Sequence, residues 1–135
     1  MIHLDLPFIT ISSNDADRCV EVVLKDFAEG KPYRSALLEA IALLKKKGYT
    51  RYLADMRQGA VIGLEDTQWL TEEWTRAAQK VGLKKIALIM PQKALSAMQL
   101  NRLTKGGPGQ TTKALEMETT MFATLEEARS WLRSA

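Results

Sequence analysis

The sequence contains few of the residues that bind metals or form disulfides. One cysteine and one histidine occur among 135 residues. A lone cysteine cannot form an intramolecular disulfide, so Cys19 is expected to be a small buried thiol in a cytoplasmic protein. His3 and Cys19 cannot together supply the nitrogen and sulfur ligands of a zinc site. We therefore predict that the protein has no metal site and no cofactor.

Long apolar runs and targeting signals are also missing. The longest apolar run, residues 86–90, is much shorter than the roughly 20 residues that a transmembrane helix needs. The first residues lack the basic region and the cleavage site of a signal peptide. The 16 acidic residues are interspersed among 19 basic ones, which leaves a net charge of +3. Nucleic-acid binders usually concentrate basic residues on one face, so we expect a protein that neither spans a membrane nor binds nucleic acid.

No motif for nucleophilic catalysis or phosphate binding is complete. A pair of a nucleophile and a histidine would have to use His3, which lies near the terminus. The glycine-rich residues 106–112 lack the Gly-Lys-Ser/Thr ending of a phosphate-binding loop. A predicted strand follows them, whereas a helix follows such a loop. We interpret these residues as a connection between a helix and a strand, and we predict no catalytic residue.

The spacing of apolar residues predicts an α/β fold. Residues 4–12 and 20–25 read as strands with turn-forming residues between them, which indicates an antiparallel hairpin at the start of the chain. Thr124 and Glu127 form the capping box of a final helix. The other helical spacings begin near residues 32, 65 and 94. Further short strands are predicted at residues 51–55, 86–90 and 115–121.

The predicted order of elements is β-β-α-β-α-β-α-β-α. Strands that alternate with helices are joined by right-handed crossovers and form a mostly parallel sheet, to which the hairpin adds an antiparallel part. The strand at residues 86–90 is apolar at every position, which suits a central place with helices on both faces. The length of the chain fits one domain, residues 1–135.

Three segments in the middle of the chain carry a family resemblance. They are the Asp-x-Arg strand end at Asp55 and Arg57, an acidic helix start followed by Trp69 and Trp74, and the Gly-Leu-Lys-Lys-Ile-Ala sequence of residues 82–87. Together they resemble the SpoIIAA-like (STAS/SEC14-type) bacterial proteins. The similarity extends over nearly the whole chain. It implies a STAS-type scaffold and no catalytic motif.

The resemblance also shows where this chain departs from the pattern. In STAS-type anti-sigma-factor antagonists, a serine is phosphorylated at the start of the helix that follows the third strand. Residues 57–63 contain no serine or threonine, and the nearest hydroxyl belongs to Thr67 inside the predicted helix. This departure puts a phosphorylation switch in doubt. SEC14-like relatives bind lipids in an apolar cavity, whose lining residues look like any other core in a sequence.

A candidate surface lies where the parallel strands end. In open α/β sheets, ligands bind outside the carboxyl ends of the strands, and Trp69 lies about 100° around the helix from the buried stripe. The alternative is that Asp55 and Arg57 only shape their loop, and that the loop packs over Trp69. The residues of the predicted interaction or ligand surface are Asp55, Arg57, Gln58, Glu65, Trp69 and Pro91.

Three functions fit these observations. The leading hypothesis is a non-enzymatic STAS-like regulatory module that binds a protein partner or forms a homodimer. The second is a small-molecule or lipid-binding domain, for which a ligand retained in native mass spectrometry would be evidence. The third is an enzyme that uses Asp55 as an acid or base beside Arg57. That third hypothesis requires a strongly raised pKa of the Asp55 carboxyl.

Overall fold

The computed structural model describes residues 1–58, 63–89, 111–114 and 117–134. Within these ranges seven strands form one mixed sheet. The strands are β1 (Ile2–Leu6), β2 (Ile9–Asn14), β3 (Cys19–Leu24), β4 (Arg51–Asp55), β5 (Lys85–Ile89), β6 (Thr111–Ala114) and β7 (Met117–Phe122). Their order across the sheet is β1-β2-β3-β4-β5-β7-β6.

Three helices are found in the described part of the chain. The first two, α1 and α2, follow β3 and β4, and the third, α3, follows β7. The middle helix is continuous but contains one π-helical turn. The bounds are α1 Gly30–Lys47, α2 with its three parts Leu64–Trp69, Leu70–Trp74 and Thr75–Lys80, and α3 Leu125–Arg133.

The start of the chain folds as an antiparallel meander. The predicted hairpin is present, but residues 4–12 contribute to two strands, because the chain turns at Pro7 and Phe8 and pairs Leu6 with Ile9. Proline cannot donate a backbone hydrogen bond to a strand ladder and commonly interrupts it. β2 then pairs with β3 in the same antiparallel sense. β1 therefore forms one edge of the sheet, one strand further out than the sequence predicts.

The other half of the sheet is mainly parallel. β3, β4, β5 and β7 are parallel neighbours, as predicted, and β5 lies between β4 and β7. Asp55 at the end of β4 is paired with Ile89 at the end of β5. The carboxyl ends of these strands therefore meet at one edge of the sheet.

The strand at the second edge of the sheet, β6, was not predicted from the sequence. It pairs with β7 in the antiparallel sense, whereas the sequence predicts a connection over residues 106–112. The threonines at its start have branched Cβ atoms and favour strands, but the glycines and proline before them favour a loop. The helix predicted at residues 94–105 lies outside the described residues.

The two faces of the sheet carry separate apolar cores. Tyr52 and Ala54 belong to the larger cluster, which α1 and α2 cover. Trp74 lies in the same cluster, and its ring meets that of Tyr52 edge to face with the centroids 5.1 Å apart. Leu53 belongs to the smaller cluster, which α3 covers. This division follows from the strand geometry, since successive side chains of β4 point to opposite faces.

Helix α1 ends at basic residues followed by a glycine. Three lysines occupy its last turn, where the helix dipole favours cations. Gly48 adopts a left-handed conformation with φ of 70° and donates its N–H to the carbonyl oxygen of Leu44. Glycine reaches this conformation without steric cost. None of the helices in the described ranges is both long and apolar enough to cross a membrane.

Candidate interaction site

Asp55 and Arg57 form an ion pair at the end of β4. The Nε and Nη2 atoms of Arg57 donate to the two carboxylate oxygens of Asp55 over 3.0 and 2.7 Å. The backbone N–H of Arg57 donates to the same carboxylate over 3.1 Å. The Asp55 side chain is nearly enclosed, whereas 38% of the Arg57 side chain is exposed. The pair therefore turns the chain at the edge of the sheet and presents the guanidinium group to solvent.

The protonation of Asp55 argues against a role as acid or base. Burial acts to raise the pKa of this carboxyl, but the hydrogen bonds from the side chain and backbone of Arg57, with its positive charge, outweigh burial and lower the pKa. A general acid or base works best with a pKa near the operating pH. The strongly raised pKa that the enzymatic hypothesis requires is not found, so that hypothesis loses its support.

The described part of the chain contains neither a reactive thiol nor a cluster of metal-binding side chains. Cys19 is buried at the start of β3, and burial raises the pKa of its thiol to about 12. The thiolate is the reactive form of cysteine, so this side chain is an apolar element of the core. Within the described ranges, no three histidine, cysteine or carboxylate side chains lie close enough together to hold a metal ion.

Asp66 connects the starts of two helices. No side chain caps the start of α1 at Glu29, yet Oδ2 of Asp66 accepts a hydrogen bond from the N–H of Gly30 over 3.0 Å. Oδ1 of Asp66 accepts from Nε of Arg34 over 2.8 Å. Asp66 is buried and belongs to α2. It therefore satisfies a free N–H at the start of α1 and fixes α2 beside it.

This role of Asp66 was not predicted from the sequence. Capping residues are normally identified next to the helix that they cap, whereas Asp66 and Gly30 lie 36 positions apart. No local pattern in the sequence indicates such a contact.

A π-helical turn sets the positions of two tryptophans. Residues 70–74 of α2 form this turn, in which hydrogen bonds join residues five apart instead of four. Trp69 and Trp74 are five residues apart, so the turn brings both toward the same side of the helix. Trp74 is buried and donates from Nε1 to the carbonyl oxygen of Leu37 over 3.0 Å. Trp69 is partly buried and packs against the same cluster.

The environment of Trp69 is intermediate between an exposed surface and a fully buried position. The side chain is partly buried, and the guanidinium group of Arg34 lies 5.6 Å from the ring centroid. Arg34 is in turn held by Asp66. Trp69 therefore belongs to the contact between α1 and α2.

The six predicted site residues fall into three groups. Asp55 and Arg57 contact each other, and Gln58 is exposed beside them. Asp55 lies two residues after Leu53, so it is on the face that α3 covers. Trp69 lies on the opposite face, and Glu65 is exposed at the start of α2. Pro91 lies outside the described residues.

Two exposed apolar side chains flank the contact made by Asp66. Leu64, the first residue of α2, is 75% exposed, and Phe27, in the segment between β3 and α1, is 49% exposed. The hydrogen bond from Gly30 to Asp66 joins these two segments. Phe27 was not among the predicted site residues, because one aromatic residue in a loop has no periodic signal.

This arrangement of strands and helices is found in a solved structure. A Thermotoga maritima protein, assigned provisionally as an anti-sigma factor antagonist, superposes with a TM-score of 0.63 over 91% of this chain and 92% of its own. The two sequences are 14% identical. This chain has the STAS fold. The resemblance to SpoIIAA-like proteins is thereby confirmed for the fold, while no family model and no curated protein matches the sequence.

The start of α2 has both exposed and buried side chains. In this STAS fold the first turn of α2 presents Leu64 and Glu65 to solvent, whereas Asp66 points inward. Thr67, the hydroxyl nearest to the loop, has its Oγ1 shielded from solvent and without a hydrogen-bond partner among the described residues. Among the described residues near this helix start and the end of β4, the exposed side chains include those of Arg57, Gln58, Leu64 and Glu65.

Proposed function

We propose that this protein is a non-enzymatic STAS-like regulatory module that binds another protein. The surface that binds is formed by Arg57, Gln58, Leu64 and Glu65, at the end of β4 and the start of α2. The likeness to a protein assigned as an anti-sigma factor antagonist supports a role in protein interaction. The observation that carries the proposal is the 75% exposure of Leu64, because the buried centre of a protein interface is more apolar than the rest of a protein surface.

The proposed module works without a phosphorylated serine. Residues 57–63 contain neither serine nor threonine. Thr67 is a poor acceptor of a phosphoryl group, since its oxygen is shielded from solvent.

The lowered pKa of Asp55 supports the non-enzymatic assignment. A carboxylate that is ionised and held by three hydrogen bonds from one arginine residue is suited to shaping a loop. In the proposed module Asp55 is a positioning residue. It orients Arg57, whose partly exposed guanidinium group can donate to a carbonyl group of the partner.

Affinity capture with matched surface variants tests the proposal. The bait is the full chain, as wild type and as Leu64→Asp, Arg57→Glu and Leu38→Asp. Leu38 is an exposed leucine of α1, 48% accessible, and lies outside the proposed surface, so Leu38→Asp controls for the loss of an exposed leucine. Circular dichroism confirms that each variant is folded.

We expect a partner captured by the wild type and by Leu38→Asp to be lost with Leu64→Asp and Arg57→Glu. The captured protein is then purified, and its affinity for each variant is measured directly. Equal affinity for all four baits would refute the surface. A partner lost only with Leu38→Asp would move the surface to α1.

A further inference from the structure

Two exposed apolar residues at the carboxyl edge of the sheet have acidic neighbours. Phe27 lies between Asp26 and Glu29 before α1, and Leu64 is followed by Glu65. All three carboxylate residues are exposed. We refer to Asp26, Phe27, Glu29, Leu64 and Glu65 as the Phe27–Leu64 patch. The hydrogen bond between Gly30 and Asp66 holds its two segments together.

Within the described ranges, no basic side chain pairs with the carboxylates of this patch. None of the three forms an ion pair with a described residue, whereas the neighbouring arginines are engaged, Arg34 by Asp66 and Arg57 by Asp55. Lys31 is the one basic residue between Asp26 and Arg34. The patch is therefore negative although the whole chain carries a net charge of +3.

We infer that the Phe27–Leu64 patch binds a basic, apolar segment of the partner protein. This inference rests on the proposed function and specifies the chemistry of the partner. Large apolar side chains of the partner would cover Phe27 and Leu64, and lysine or arginine residues around them would meet the three carboxylates. Complementary charge of this kind favours the correct partner and rejects acidic ones.

The same charges argue against other occupants. Anionic lipids give membranes a negative surface potential that attracts basic residues, so an acidic rim repels them. Nucleic acids are bound through positive charges placed against their phosphates. A protein segment that combines lysine or arginine with leucine or phenylalanine meets both the apolar centre and the acidic rim.

Peptide selection tests the inference without knowledge of the natural partner. A library of random peptides is selected on the immobilised full chain, and peptides that also bind Leu64→Asp are removed. We expect the remaining peptides to be enriched in lysine and arginine together with large apolar residues. A Glu29→Lys/Glu65→Lys double variant should select acidic peptides instead.

The affinity of one selected basic peptide is then measured by fluorescence anisotropy. The double variant should weaken binding by about tenfold or more, because like charges would face each other. Binding should also weaken as salt rises, since exposed charges are screened. Glu126→Lys is the matched control, because Glu126 is an exposed acid of α3 on the other face of the sheet. This control should leave the affinity unchanged.

Different failures separate this inference from the proposed function. Peptides that depend on Leu64 but are neutral or acidic would overturn the inference while supporting an interaction surface. If no peptide depends on Leu64, both the inference and the proposed surface fall. Sedimentation of the wild type with phosphatidylserine vesicles, or a dimer in light scattering, would overturn the inference if Leu64→Asp abolished it.

Discussion

The two faces of the sheet are closed by different kinds of contact. On the face of α1 and α2 the contacts are mainly apolar, and Trp74 is buried among them. On the face of α3 the described cluster is smaller, and arginines tie the helix to carboxylates near β3. These ion pairs join Arg129 to Glu21 and Arg133 to Asp17.

The difference implies that the two faces respond to different perturbations. The free energy gained by burying apolar side chains does not depend on the ionisation of carboxylates. Ion pairs at a surface, in contrast, weaken as salt rises or as a carboxylate is protonated. Truncation of a side chain should therefore have its largest effect on the face of α1 and α2. A change of pH should affect the contacts of α3 first.

The largest effect is expected for truncation of Trp74. Trp74→Ala removes a fully buried ring and should lower the free energy of unfolding by about 3–5 kcal/mol. Trp131 of α3 is partly buried against Phe122, with ring centroids 5.6 Å apart. Trp131→Ala should cost about 1–2 kcal/mol, because only part of its ring leaves water. Urea denaturation measures both values.

Trp74→Phe separates the two contributions of this residue. Phenylalanine keeps most of the apolar contact but loses the hydrogen bond from Nε1 to Leu37. This variant should lose about 1 kcal/mol. Equal losses for Trp74→Ala and Trp131→Ala would contradict the proposed difference between the faces.

A smaller effect is expected for Asp66, the charged contact on the mainly apolar face. Asp66→Ala removes the acceptor of two hydrogen bonds, from Gly30 and Arg34. The free energy of unfolding should fall by about 1–3 kcal/mol, since a donor at the start of α1 loses its partner. Thermal or urea denaturation measures the loss.

Two neighbouring variants sharpen this second prediction. Asp66→Asn retains an oxygen that can cap a helix and should therefore lose less than Asp66→Ala. Glu65→Ala, at an exposed position, should stay within about 0.5 kcal/mol of the wild type. If Asp66→Ala were as stable as Glu65→Ala, the contact between the two helix starts would contribute nothing.

The architecture could be predicted because its signals are local and repeated. The stripe that contains Trp74, the apolar run in β5 and the stop at Gly48 each lie in one short segment of sequence. The added strands could not be predicted equally well. A single residue, Pro7, divides one apolar stretch into two strands. Before β6, the glycines favour a loop more strongly than the two threonines favour a strand, so the sequence predicts a loop there.

The candidate site was predicted less completely, because it depends on contacts between distant segments. The pair of Asp55 and Arg57 is visible in the sequence, since two residues separated by one position can meet in a turn. The contact of Asp66 with Arg34 joins residues 32 positions apart. The π-helical turn that orients Trp69 could not be predicted, because apolar spacing alone assumes a regular α-helix.

The smallest expected effect is a dependence on pH at the end of α3. Nε and Nη2 of Arg133 donate to Asp17 over 2.9 and 3.2 Å. These hydrogen bonds, helped by the charge of Arg133, lower the pKa of Asp17 although burial acts to raise it. The stabilisation is therefore present above the unfolded pKa of about 3.9 and is lost as the pH falls through the lower folded pKa.

Arg133→Gln tests this dependence. Near neutral pH the variant should be slightly less stable than the wild type, because an exposed ion pair contributes little. The two free energies of unfolding should converge as the pH falls below the unfolded pKa of about 3.9 and through the lower folded pKa, because Asp17 is then protonated in the wild type as well. Arg76→Gln is the matched control, since Arg76 is exposed on α2 and forms no ion pair with a described residue. A difference between Arg133→Gln and the wild type that stays constant from neutral to acid pH would mean that the pair of Arg133 and Asp17 adds nothing to the pH dependence. The chemical contrast between the two faces would then rest on Arg129 and Glu21 alone.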